Sequence, residues 1–228
     1  MKTLGIIGGL GPETTSEFYL EVIFGCQKLN STRPEILIDS VSASLEMDRQ
    51  AIVEGAGEER YIPILVKAAK KLEQAGADFL VMPCNSLHAF IKEIRQAVKI
   101  PVLNIIEETT KFLRQQGINS VGLISTVITK RHKLYEKDFE SAGIRVVLPD
   151  DLEQAKISRV IHNLVMNRQG NKEREELIKI IEGFKVQGIK NVVLACTDLQ
   201  LLIPEHGEIK IHDTMKILAD AAVANILK

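Results

Sequence analysis

Several functional classes are excluded by what this sequence lacks. It has only three cysteines in 228 residues, Cys26, Cys84 and Cys196, and an odd number is a poor basis for a disulfide scaffold. No apolar run is long enough to span a bilayer, and no charged leader with a cleavage site precedes the first strand-like segment. The expectation is a cytoplasmic protein with no membrane partner and with reduced thiols. The formal net charge is only −1, and no lysine- and arginine-rich stretch is interleaved with aromatics, so nucleic acid is not an expected partner.

What is present is the composition of a globular protein, 45% apolar and 26% charged, enough to bury a substantial core over one large or two compact domains. Short β-branched runs alternate with helix-length segments, which predicts an α/β fold with parallel sheets flanked by helices. The strand-like runs are 4–8, 35–41, 79–83, 102–104, 120–125, 145–148, 191–195 and 210–212. Between them Tyr61, Leu65, Ala68 and Leu72 form one apolar helical stripe.

An internal repeat organises these elements. LGIIG at 4–8 resembles VGLIS at 121–125, QAGADFLVMPCN at 74–85 resembles VQGIKNVVLACT at 186–197, and the segments from Pro101 and Ile209 share a strand-then-helix pattern. Three matches in the same order imply two similar halves, taken as 1–104 plus 209–228 and 105–208. In each half a helix ends at a glycine, Gly76 or Gly188, an apolar strand follows, and a cysteine then leads into a polar helix start. Ligands of open α/β sheets collect beyond the carboxyl ends of the strands, so halves related by a pseudo-twofold axis would bring Cys84 and Cys196 to one cleft.

Two acid/base groups on opposite sides of a carbon are the direct way to invert a Cα–H centre, and a thiol and thiolate can exchange those roles. Lowering a thiol pKa of ~8.5 by about 1.5 units takes roughly 2 kcal/mol. A helix N-terminus offers ~0.3–1 kcal/mol, rising toward ~2 when partly buried. Donors from Asn85, Ser86 and Thr197 are expected to supply the rest, with no metal and no cofactor. The competing reading is a pair of buried core thiols, which is what a strand-end cysteine usually is. Cys26, in an apolar helical stretch, fits that reading; two cysteines at repeat-equivalent positions fit it poorly.

At these residues the sequence resembles the aspartate/glutamate racemase family over essentially its full length: GIIGGLGPETT at 5–15, PCNSLH at 83–88 and ACTDL at 195–199 match family patterns. The resemblance implies a pyridoxal-independent amino-acid racemase with two Rossmann-like halves, a cleft between them and commonly a homodimer. By position, Cys84 and Cys196 would be the catalytic acid/bases. Asn85, Ser86, Thr197 and Asp198 would hold the α-amino and α-carboxylate groups, with Thr126 assisting. Arg49, followed by Gln50, falls where aspartate-acting members pair an arginine with the distal carboxylate, a task suited to a guanidinium. Leu10 stands in place of a usual methionine and Asp198 in place of a usual glutamate. Where aspartate-specific members carry a lysine, this chain reads LVMNRQG, with Arg168 as a substitute candidate. Aspartate or glutamate is the expected substrate.

Rival readings are weaker. Gly9-Leu10-Gly11 imitates a dinucleotide fingerprint, but Thr14 replaces the third glycine and Pro12 removes a backbone donor. Cys84, His88 and Cys196 could share a metal, but a fourth ligand is not evident. Hydantoin racemases, maleate isomerases and arylmalonate decarboxylases share the expected architecture, and a decarboxylase needs only one of the two cysteines. A non-catalytic amino-acid sensor remains the alternative from a different class.

Overall fold

In the computed structural model, which describes residues 1–203 and 205–228, the β-branched runs pair into two parallel sheets. The first has the order β2 (Ile36–Ser40), β1 (Leu4–Gly8), β3 (Phe79–Val81), and Val102 adds a single bridge beside Leu80. The second has the order β5 (Arg145–Val147), β4 (Ser120–Ser125), β6 (Asn191–Ala195), β7 (Lys210–Asp213). The repeat seen in the sequence is a repeat of topology: β1 and β4 lie inside their sheets, and each half places its cysteine directly after the strand paired to that central one. The expected strand at 102–104 is cut to a bridge because Asn104 already caps the next helix, its Oδ1 accepting from the Ile106 N–H at 2.8 Å.

Period-two alternation assigns the two faces of each sheet. Leu4, Ile6, Phe79 and Val81 of the first sheet and Val121, Leu123, Val193 and Ala195 of the second belong to one shared core. Helices α1 (Pro12–Asn30), α5 (Ile105–Gln115) and α10 (Thr214–Ile226) fill it, and Cys26 is buried there as packing. The opposite face of the first sheet is covered by α3 (Ile62–Gln74) and α4 (Ile91–Ala97), and that of the second by α8 (Asp151–Val165) and α9 (Asn171–Val186). Among the described residues no helix is long and apolar enough to cross a membrane.

One expected boundary moves. Residues 209–228 are divided between the halves: β7 hydrogen-bonds along β6 in the second sheet, whereas α10 crosses to pack on α1 of the first half. A strand must spend its backbone groups on a neighbouring strand, but an amphipathic helix needs only an apolar face, so the crossover falls at Asp213, the N-cap of α10. The first half does the same at Asn104, after which α5 packs on α7 (Glu136–Ser141) of the second.

A polar clasp also joins the halves. Glu58, only 1% exposed in the 3-10 turn Glu58–Tyr61, accepts through Oε1 from the guanidinium of Arg131, and His132 Nε2 lies 3.0 Å away. Arg131 closes helix α6 (Val127–Arg131) and also donates to the Gly55 carbonyl. Removing the charge from this buried acceptor weakens its charge-assisted bonds to the more exposed Arg131 and His132, which costs about 1–2 kcal/mol. Glu58→Gln is therefore expected to lower Tm by about 2–8 °C in a calorimetric scan; an unchanged Tm would remove the clasp from the list of stabilising contacts.

Candidate active site

Each cysteine is presented by a turn that leaves a buried strand. After β3 the chain runs Met82-Pro83-Cys84, the Cys84 N–H returning to the Met82 carbonyl at 2.8 Å, and the 3-10 helix Ser86–Phe90 follows. After β6 Cys196 follows at once, and the 3-10 turn Leu199–Leu201 comes next. Both cysteines line one cavity of about 320 Å³ together with the loop Gly9–Glu13 that follows β1. Gly9 makes that loop possible, since at φ 82° a Cβ would lie 2.7 Å from the Val41 carbonyl oxygen.

The two cysteine turns are tied to one another. Thr197 Oγ1 donates to the Pro83 carbonyl at 3.3 Å, joining the residue after one cysteine to the residue before the other. Ser86 Oγ meets Thr126 Oγ1 at 2.7 Å, and Thr126 accepts from the Thr129 N–H to cap α6. Asn85 is clamped between Tyr135 of the second half and the start of α10: its Oδ1 accepts from the Tyr135 hydroxyl and its Nδ2 donates to Thr214 Oγ1 at 3.0 Å. One amide hydrogen of Asn85 then remains for a ligand. Asp198 Oδ1 accepts from Thr14 Oγ1 of α1 at 2.5 Å, and its Oδ2 lies 3.8 Å from Cys196 Sγ.

Burial governs the charges here. Desolvation pushes the Cys84 thiol up to about 12; the backbone N–H groups of Leu87 and Ser86 oppose this, and the carboxylates of Asp198 and Asp48 add to it. Cys196 is raised well above the ordinary thiol value, first by burial and then by Asp198. Asp198 is itself raised by burial, which its bond from Thr14 partly offsets. The lowering expected for a thiol at these positions is thus not supplied by the protein's own groups. The turns after the cysteines are five-residue and three-residue 3-10 pieces, with too few aligned dipoles to counter the desolvation.

Of the residues singled out in the sequence, Leu10, Cys84, Asn85, Ser86, Thr126, Cys196, Thr197 and Asp198 line the cavity. Arg49 and Gln50 do not. Helix α2 (Leu45–Arg49) runs on into the π-helical turn Gln50–Glu54, and along this stretch Leu45, Asp48 and Ile52 share the face toward the cavity. Arg49 and Val53 occupy the next face and border an outer groove. There Arg49 pairs with Glu46 at 2.8 Å and Glu54 at 2.7 Å, and Gln50 bonds Glu46 and Arg60. Arg168, exposed beyond the end of α8, does not line the cavity either. Sequence reasoning missed Asp48, whose carboxylate accepts from the Tyr61 hydroxyl, and the apolar residues Ile128, Ile161 and Val165. The helical spacing of Leu45, Asp48 and Ile52 was a usable signal for the first, because it sets Asp48 rather than Arg49 on the apolar side.

His88 is not a ligand. Its Nε2 accepts from the Ile105 N–H at 3.2 Å, which leaves the proton on Nδ1, 2.7 Å from the Cys84 carbonyl that accepts it. The ring therefore bridges the first cysteine turn to the start of α5, and burial lowers its pKa to about 4. Among the described residues no group of three histidine, cysteine or carboxylate side chains is arranged to hold a metal.

A family model described as Asp/Glu/Hydantoin racemase matches residues 7–222. The chain is 30% identical over 232 residues to the broad specificity amino-acid racemase RacX of Bacillus subtilis (strain 168), covering 98% of each protein. It superposes on the Picrophilus torridus aspartate racemase with a TM-score of 0.82 and 26% identity, covering 100% of this chain and 95% of that one. On an aspartate racemase homologue from Pyrococcus horikoshii OT3 the TM-score is 0.80 at 28% identity, with 100% of both chains covered.

The neutral His88 ring sets an acid limit on the fold. Its folded pKa, about 4, lies below the ordinary histidine value of 6.5, so the stability it confers is complete above 6.5 and is lost as pH falls through 4. Unfolding free energy is expected to drop by about 2–3 kcal/mol from this group between pH 7 and 4. Urea titrations of the protein and of His88→Gln across that range test this; identical slopes against pH would show that His88 does not couple to folding.

Proposed function

The chain belongs to the Asp/Glu/hydantoin racemase family, and from that premise we propose that it is a cofactor-independent amino-acid racemase whose Cys84 and Cys196 act on opposite faces of the substrate Cα. The observation that carries this reading is that two cysteines from repeat-equivalent strand ends line one cavity, with their turns joined directly by the bond from Thr197 to Pro83. One sulfur, as thiolate, removes the Cα proton; the other, as thiol, delivers a proton to the opposite face. The reverse reaction exchanges the roles, so no redox partner is consumed.

The raised thiols constrain how that thiolate arises. A substrate brings an α-ammonium, and a cation about 4 Å from sulfur is worth about 4 kcal/mol at an effective dielectric near 20. That equals about three pKa units. Substrate binding itself therefore offsets most of the burial at Cys84, while Asp198 Oδ2, accepting from Cys196 Sγ at 3.8 Å, favours the protonated form of that second thiol. The free amide hydrogen of Asn85 supplies a neutral donor for the α-carboxylate, on the side of the cavity that Ser86, Thr126 and Thr197 also line. A reducing, cytoplasmic setting suits this chemistry, because it depends on free thiols.

The acidic substrate implied by the resemblance needs a cation at the distal end, and Arg49 faces away from the cavity. The reading here is thus amino-acid racemisation without a commitment to aspartate or glutamate. A homodimer is proposed as well, supported by Leu20 and Phe24, neighbours on α1 that remain 45% and 58% exposed.

Incubating L-amino acids with the protein in D2O is expected to yield Cα-deuterated product of both configurations. Cys84→Ala and Cys196→Ala should each lower racemisation by about 10²–10⁴-fold with the circular dichroism spectrum unchanged. Substantial two-way racemisation by either variant would sink the two-thiol mechanism, and ligand-induced stabilisation without exchange would identify a sensor instead. Because burial holds the thiols neutral, kcat should rise with pH between 7 and 9; a flat profile over that range would mean that a thiolate is already present.

A further inference from the structure

The cavity has two chemically distinct sides. The strand-end side carries the thiols, hydroxyls and Asn85. The helices supply a second side that is apolar but for Asp48 and is built from both halves: Leu45 and Ile52 come from the α2 stretch, Ile128 from α6, and Ile161 and Val165 from α8. Ile52 packs against the core beneath α8, so this wall is continuous across the halves. A capping box on α8, in which Asp150 accepts from the Glu153 N–H at 2.8 Å, fixes the helix that carries Ile161 and Val165.

Among the described residues the cavity lining includes no lysine, arginine or histidine, while it does include the carboxylates of Glu13, Asp48 and Asp198. A substrate carboxylate placed against the wall would be desolvated without a cation and would face like charge from Asp48. An aliphatic side chain would instead exchange water for Ile52, Ile161 and Val165.

Building on the racemase reading, we propose that this wall is the side-chain subsite and that the protein takes amino acids with an aliphatic side chain bearing no carboxylate. With Cα held between the sulfurs at the strand ends, the side chain extends toward α8. Val165 and Ile161 set its length and polarity, and Arg49 takes no part.

The test compares methionine, lysine and glutamate, which share a long aliphatic stem and differ at its end, with leucine and aspartate added, by Cα deuteration in D2O. For methionine kcat/KM is expected to exceed that for glutamate by at least tenfold, with lysine on methionine's side and leucine likewise above aspartate. Val165→Lys, at the partly exposed end of α8, should raise glutamate turnover at least tenfold and lower that of methionine. Arg49→Ala should leave both within about twofold. Glutamate or aspartate equalling the neutral substrates, or a selective loss of acidic substrates in Arg49→Ala, would overturn the assignment. Should no amino acid exchange its Cα proton, the racemase reading fails by itself. Thermal shifts then still decide the subsite, since stabilisation by glutamate equal to or greater than that by methionine would refute an apolar wall.

Discussion

The contact on which the site most directly depends is the hydrogen bond from Thr197 to the carbonyl of Pro83, which joins one cysteine turn to the other. Each cysteine turn is a short exit from a buried strand with only a 3-10 piece after it. The bond links the turns directly, and the Ser86–Thr126 and Asn85–Tyr135 contacts repeat the linkage on either side. Behind these bonds lies the shared core, in which one face of each sheet packs with α1, α5 and α10. The crossing of α5 and α10 makes the halves mutually dependent, since each sheet is covered partly by a helix that follows a strand of the other.

The electrostatics follow from that enclosure. Excluding water costs a thiolate more than a short 3-10 turn can return, so burial pushes the Cys84 and Cys196 thiols up. In the proposed racemase, a cationic group on the ligand would be the switch for ionisation. His88 obeys the same rule from the other side, as burial keeps its ring uncharged while Nδ1 serves the Cys84 carbonyl and Nε2 the Ile105 N–H.

Much of this was legible in the residues. Alternation within LGIIG and VGLIS marked strands buried on both faces, and the order of the repeats marked two halves. The motifs PCNSLH and ACTDL marked the residues that line the cavity. What misled was adjacency. Arg49 and Asp48 are neighbours in the chain, and a motif reading favours the arginine, but one residue along a helix is a turn of about 100° and sends Arg49 to an outer groove. The division of 209–228 misled for a similar reason, because a strand and the helix after it can satisfy different partners.

By itself the sequence determined the α/β class, the duplication and the pair of cysteines, because these are written in local periodicity and in repeated order along the chain. Only the tertiary structure decided which side chains share the cavity, how far its walls are apolar, and which way the thiols are pushed. Those properties depend on the orientation of helix faces and on the exclusion of water by residues far apart in the chain, neither of which a linear motif records.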